Sequence, residues 1–180
     1  MNQTKTKVLV IGETNFIYST IFSRDPKCKY LLEISKIGEI ELAIPDFCFH
    51  EIKHAVNQTF RTRLGELYRV YSFLNELIKS EPHASTFSEV KEKFRQLERD
   101  SPSEKLGVLN SAEEIKSFCI PIPYDLNIFY RAHLRSIADL PPYKDNDRRI
   151  YESILEFVSR VKDFYDLMIF YTADREDFDC

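Results

Sequence analysis

The chain has 180 residues, 43% of them hydrophobic and 30% charged, a size at which one domain buries its core without disulfide or metal staples. No apolar run approaches the roughly 18 residues of a membrane-spanning helix, and the opening Met1-Asn2-Gln3-Thr4-Lys5-Thr6-Lys7 leads into an apolar stretch without a small-residue cleavage site, which argues against a secretory signal. The formal net charge of −4 excludes the broad basic footprint of a protein that grips nucleic acid mainly through phosphates, leaving a local basic rim for which Arg61, Arg63 and Arg69 are candidates.

In chain order, Lys7-Val8-Leu9-Val10-Ile11 is a continuous apolar run ended by Gly12, as suits a strand buried on both faces of a parallel sheet. Thr14 to Phe22 has helical spacing, and a second helix is expected over Lys27 to Lys36. After Gly38, Ile40-Glu41-Leu42-Ala43-Ile44 reads as a second strand that Pro45 stops. From Asp46 the apolar residues Phe49, Ile52, Val56 and Phe60 fall at three- and four-residue steps, and Leu67, Val70, Phe73, Leu74 and Leu77 extend the stripe, predicting a long helix. Between Glu81 and Ser103 the composition turns to charge, with Pro82 and Pro102 bracketing a polar helix over Phe87 to Arg99.

Phe118-Cys119-Ile120-Pro121-Ile122-Pro123 is too proline-rich for a central strand and suits a short edge strand. Helices follow over Leu126 to Ile137 and from near Asp145 to about Val161, the second opened by Pro141, Pro142 and an acidic cluster suited to a helix amino terminus. Leu167-Met168-Ile169-Phe170-Tyr171 closes the pattern as a fully apolar strand. Strands alternating with helices predict an α/β domain on a parallel sheet. Cys28, Cys48, Cys119 and Cys180 form no C-x-x-C pair, so reduced thiols and a cytoplasmic setting are expected.

In open parallel sheets ligands bind beyond the carboxyl ends of the strands, and the residues there are acidic. Glu13 follows the first strand and Asp174 the last, while Glu51 and Asp147 lie in the first turns of helices. Taken singly, each reads as an ordinary loop or helix-start carboxylate favoured by the helix dipole. Together they are four carboxylates from four segments, all able to face one crevice. Gathered carboxylates repel unless a cation sits among them, and an all-oxygen set suits Mg²⁺ or Mn²⁺, which activates water and stabilises charge on a phosphate. Asp145 competes with Asp147 for the ligand position. Arg148 and Arg149 are either helix-surface charges or, beside Asp147, contacts to substrate.

These segments resemble the PIN-domain family. Glu13-Thr14-Asn15-Phe16-Ile17 is similar to its opening D-T-N followed by apolar residues, and Ile44-Pro45 to its I-P step, with Phe47 to Glu51 where the second acid is expected. Asp147 with Ile150, Ser153 and Ile154 looks like its third segment. Tyr171-Thr172-Ala173-Asp174-Arg175-Glu176-Asp177-Phe178 is similar to its T-x-D-x-D-F motif with the spacing relaxed by one residue. The resemblance implies a three-layer α/β/α fold with a mostly parallel central sheet, and cleavage of RNA phosphodiesters with Mg²⁺ or Mn²⁺. It implies Glu13, Glu51, Asp147 and Asp174 as metal-site acids, Asp177 as an outer member, and Asn15 and Thr172 as hydrogen-bonding supports. Relatives include toxins held inactive by an antitoxin and RNA-processing enzymes without such a partner.

The chain departs from the family pattern at three places. Glu13 replaces the usual aspartate, which also raises a catalytically inactive binding scaffold as a reading. The single domain 1–180 carries a long helical insertion at about 57–116, suited to a lid, a homodimer surface or an RNA guide. The chain stops at Cys180, where the family continues into a further helix and strand, which implies a trimmed sheet or a shortened chain. A rival motif, His50-Glu51-Ile52-Lys53-His54, matches the H-E-x-x-H zinc-peptidase signature. Lys53 falls where such helices are usually uncharged, and neither His83 nor His133 sits in a companion motif for the third ligand.

Overall fold

The computed structural model describes residues 6–79 and 84–172, and its contacts divide the chain into two compact units, Met1–Ile52 with Ser111–Cys180, and Lys53–Asn110. The first unit holds a four-stranded sheet of β1 (Val8–Gly12), β2 (Glu41–Pro45), β3 (Ile120–Ile122) and β4 (Leu167–Tyr171), in the order β3-β2-β1-β4. Every pairing is parallel. Apolar, β-branched β1 is paired on both sides, and its Leu9, Val10 and Ile11 are buried. The register aligns Ile11 with Ala43 and with Phe170.

From β1 the chain steps outward to β2 and β3, then returns to place β4 on the far side of β1. The reversal puts a topological switch point at the carboxyl end of β1. α1 (Thr14–Ile21) and α2 (Pro26–Lys36) pack against β1 and β2, α6 (Asp145–Val161) packs against β2 and β3 with α5 (Leu126–Ile137) beside it, and the right-handed crossover rule puts the two pairs on opposite faces of the sheet. The result is the three-layer α/β/α arrangement. The helix starts are written in the sequence. The Asp25 carboxylate accepts from the Lys27 amide at 2.8 Å ahead of Pro26, and that of Asp125 accepts from the Ile128 amide at 2.9 Å.

Two long helices, α3 (Asp46–Ile78) and α4 (Ala84–Phe118), run into the second unit. Within it Arg63 pairs with Glu104 at 3.3 Å, the Tyr68 hydroxyl donates to Glu98 at 2.6 Å, and Arg95 Nε donates to the Tyr71 hydroxyl at 3.0 Å. Position rises along one helix as it falls along the other, so the two are antiparallel. No helix among the described residues is long and apolar enough to cross a membrane.

Two elements differ from the sequence reading. The polar helix does not end before Pro102 but runs through it to Phe118, because a proline removes one hydrogen bond from a helix and neighbours that pack can carry the helix past it. The last strand is not buried as its apolar run suggests. β4 pairs only with β1 among the described residues, and Leu167 and Ile169 stay 48% and 44% exposed. Hydrophobic content alone does not distinguish a central strand from an edge strand.

Candidate active site

The switch point begins with Gly12, where a Cβ would meet the Phe16 ring at 3.0 Å. The bare backbone lets Phe16 fold against the strand end, edge-on to Tyr171 at 5.7 Å. Glu13 follows and is only 3% exposed. Its carboxylate caps α1, accepting from the Asn15 amide at 2.9 Å, while the Asn15 side chain faces outward. The pairing of Gly12 with Tyr171 carries Thr172, the last described residue, level with Glu13.

Glu51 lies in the second turn of α3, and both its oxygens are held. The Thr14 hydroxyl donates to Oε2 at 2.5 Å, and Asn146 Nδ2 donates to Oε1 at 2.6 Å. Thr14 is next in the chain to Glu13 and Asn146 is next to Asp147. These two bonds therefore join the end of β1, the start of α3 and the start of α6. Cys48, fully buried one turn before Glu51, has its thiol pushed up by burial first, with the negative charges of Glu51 and Glu13 adding to it. Both glutamates thus act on the same buried group.

At the start of α6, two acids in the first turn meet the helix dipole. The Asp147 side chain is 22% exposed, with Lys144 Nζ 3.8 Å away, while that of Asp145 is 75% exposed and pairs with Arg148 at 3.1 Å. The buried Arg148 guanidinium also donates to Ser136 Oγ at 2.8 Å. The guanidinium of Arg149 lies over the rings of Phe47 and Phe129, at 5.4 and 5.5 Å. Asp174 and Asp177 lie outside the described residues.

His50 and His54 are both exposed. Among the described residues no three His, Cys, Asp or Glu side chains gather into a group able to hold a metal ion. The sequence reading did not single out Asn146, the partner of Glu51. The signal was its place inside the acidic run Asp145-Asn146-Asp147. It also passed over Asp25, whose carboxylate accepts from the Tyr171 hydroxyl at 2.6 Å. That bond lowers the Asp25 pKa and raises that of Tyr171.

A family model described as PIN domain matches residues 10–178. Among solved structures the chain is similar to the crystal structure of VapBC2 from Rickettsia felis bound to a DNA fragment from their promoter. That match has 11% identity and a TM-score of 0.45, and covers 91% of this chain and 99% of that chain. No curated protein matches the sequence.

Proposed function

The chain belongs to the PIN-domain family, and from that premise we propose that it is a metal-dependent endoribonuclease hydrolysing RNA phosphodiester bonds, one PIN domain with a helical insertion. Glu13, Glu51, Asp147 and Asp174 would hold the ion, with Asp177 at the margin. The supporting observation is the Glu51 carboxylate, bonded on one side by Thr14 and on the other by Asn146. Three of the four acid-bearing segments meet around it.

The donor set suits a hard divalent ion. It is all oxygen, and both recorded partners of Glu51 are neutral, so no cation among the described residues neutralises it. Mg²⁺ keeps several waters and takes as few as one or two protein carboxylates, so the absence of a preformed cage among the described residues is compatible with it. When bound, such an ion activates water and stabilises charge on the phosphate.

The remaining roles belong to positioning. Thr14 and Asn146 aim the Glu51 carboxylate, and the Asn15 amide fixes that of Glu13. Arg148, tied to Ser136 and Asp145, braces the start of α6 on which Asp147 sits. Thr172, level with Glu13 along the paired strands, would support that end. Arg149, partly exposed beside two aromatic rings, is the nearer candidate for contact with substrate. No side chain serves as a covalent nucleophile.

The test is cleavage of labelled RNA with Mn²⁺ and with EDTA. Cutting is expected only with the ion, and Asp147→Asn is expected to abolish it while leaving the protein folded. Undiminished cutting in that variant rejects the assignment. A folded protein that binds RNA but cuts none supports the scaffold reading instead. The zinc-peptidase reading is not carried forward, because the Glu51 carboxylate is engaged by Thr14 and Asn146 rather than held free beside the exposed His50 and His54.

A further inference from the structure

In the second unit an open cleft of about 1110 Å³ runs between α3 and α4. Asn57, Arg61, Gly65 and Tyr68 line it from one face of α3, and Ser101 and Lys105 from one face of α4, each set following three- and four-residue helical steps. No carboxylate lines it among the described residues, although the chain as a whole is acidic. Arg63, Arg95 and Arg99 in the same unit each answer a glutamate. Neither Arg61 nor Lys105 has an ion-pair or hydrogen-bond partner among the described residues.

Two further features favour an occupant. Gly65 sits inside a helix, where glycine costs about 1 kcal/mol relative to alanine, yet a Cβ there would meet nothing within 4 Å. Packing within the protein does not demand it, and beside Arg61 it leaves the helix backbone open to the cleft. Ser101 is 8% exposed, and among the described residues its hydroxyl has no hydrogen-bond partner, which leaves it open to the cleft it lines.

We propose that this cleft is a docking site for single-stranded RNA, with Arg61 and Lys105 on phosphates and the polar side chains of the two helix faces on sugars and base edges. The choice of RNA as occupant rests on the nuclease reading. The site itself rests on two cations unpaired among the described residues and the space between them.

The test is anisotropy of a short fluorescein-labelled single-stranded RNA in EDTA, where no cutting interferes, at several salt concentrations. The double variant Arg61→Ala/Lys105→Ala is expected to weaken binding about tenfold and to flatten the salt slope by about 1.4, two phosphates at roughly 0.7 each. Gly65→Phe keeps both cations, has room for its Cβ and replaces a poor helix former. It is expected to weaken binding by blocking approach to the α3 backbone beside Arg61 while leaving the salt slope unchanged. Wild-type affinity in both variants overturns the proposal, as does a wild-type protein that binds no RNA. Displacement of the RNA by inorganic polyphosphate at equal phosphate concentration also overturns it, since that marks a general anion site. Metal-dependent cutting is measured separately. Binding through the cleft with no cutting counts against the nuclease reading alone.

Discussion

Glu51, proposed as a metal-site acid, shows how little of a carboxylate's geometry its own identity decides. Its two oxygens take hydrogen bonds from Thr14 and Asn146, and neutral donors fix a carboxylate's direction while leaving its charge for an ion. Partners that orient metal ligands are typically worth about 10- to 100-fold in metal affinity or activity. Thr14→Val is therefore expected to raise the Mn²⁺ concentration needed for half-maximal cutting by about tenfold or more, and Thr14→Ser to restore it. A Val variant with an unchanged Mn²⁺ requirement would remove Thr14 from this role. Glu51 could be singled out from the sequence as a candidate because an acid after Ile44-Pro45 fits the family pattern. Asn146 could not, because its role depends on which helix start meets α3 in space.

Tyr171 and Asp25 raise a pH question of the same size. The hydroxyl of Tyr171, and after it the Lys27 amide, lower the Asp25 pKa in the folded protein. A depressed carboxylate contributes stability at neutral pH that is lost as pH falls through its folded pKa. Tyr171→Phe removes the larger cause, so its melting temperature is expected to fall less steeply than wild type below the ordinary carboxylate range. The two curves should converge in acid. Parallel curves would show that the bond does not contribute. Tyr165 is pushed up to about 12, by burial first and by its hydrogen bond to Glu41 second. A raised pKa stabilises the fold fully below the unfolded value and ceases to do so above the folded one, so this contribution fades only in strong alkali.

At the scale of elements, the apolar rhythm of α3 and the closed run of β1 were readable because burial repeats along them with a fixed period. The extent of α4 was not. Pro102 looked like its boundary, yet the helix continues through it, which shows that the flanking turns together outweigh a local penalty of up to about 3 kcal/mol. Pro102→Ala is expected to stabilise the protein in urea denaturation, by no more than that penalty. Gly107→Ala, on the same helix and with nothing within 4 Å of the new Cβ, is expected to add about 1 kcal/mol. If Gly107→Ala stabilises while Pro102→Ala does not, the proline is relieved in a way that helix propensity does not describe.

For the whole molecule, the balance of charge links the fold to its proposed ion. The chain is acidic overall, and two of its glutamates, Glu13 and Glu51, reach the same buried thiol. An ion that binds only the folded state stabilises it by mass action, about 2.7 kcal/mol at a hundred times its Kd. Mn²⁺ is therefore expected to raise the melting temperature of the wild-type protein, and EDTA to reverse the rise. In Glu13→Gln the amide oxygen can still accept from the Asn15 amide, so the cap survives while the charge is lost. The metal-free variant is expected to melt no lower than wild type, and the Mn²⁺-dependent rise to shrink or vanish. The extra methylene of Glu13 relative to the family's aspartate makes this the decisive position. A full Mn²⁺ response in Glu13→Gln would mean that the ion, if it binds, is held by the other acids, with Glu13 serving only to cap α1.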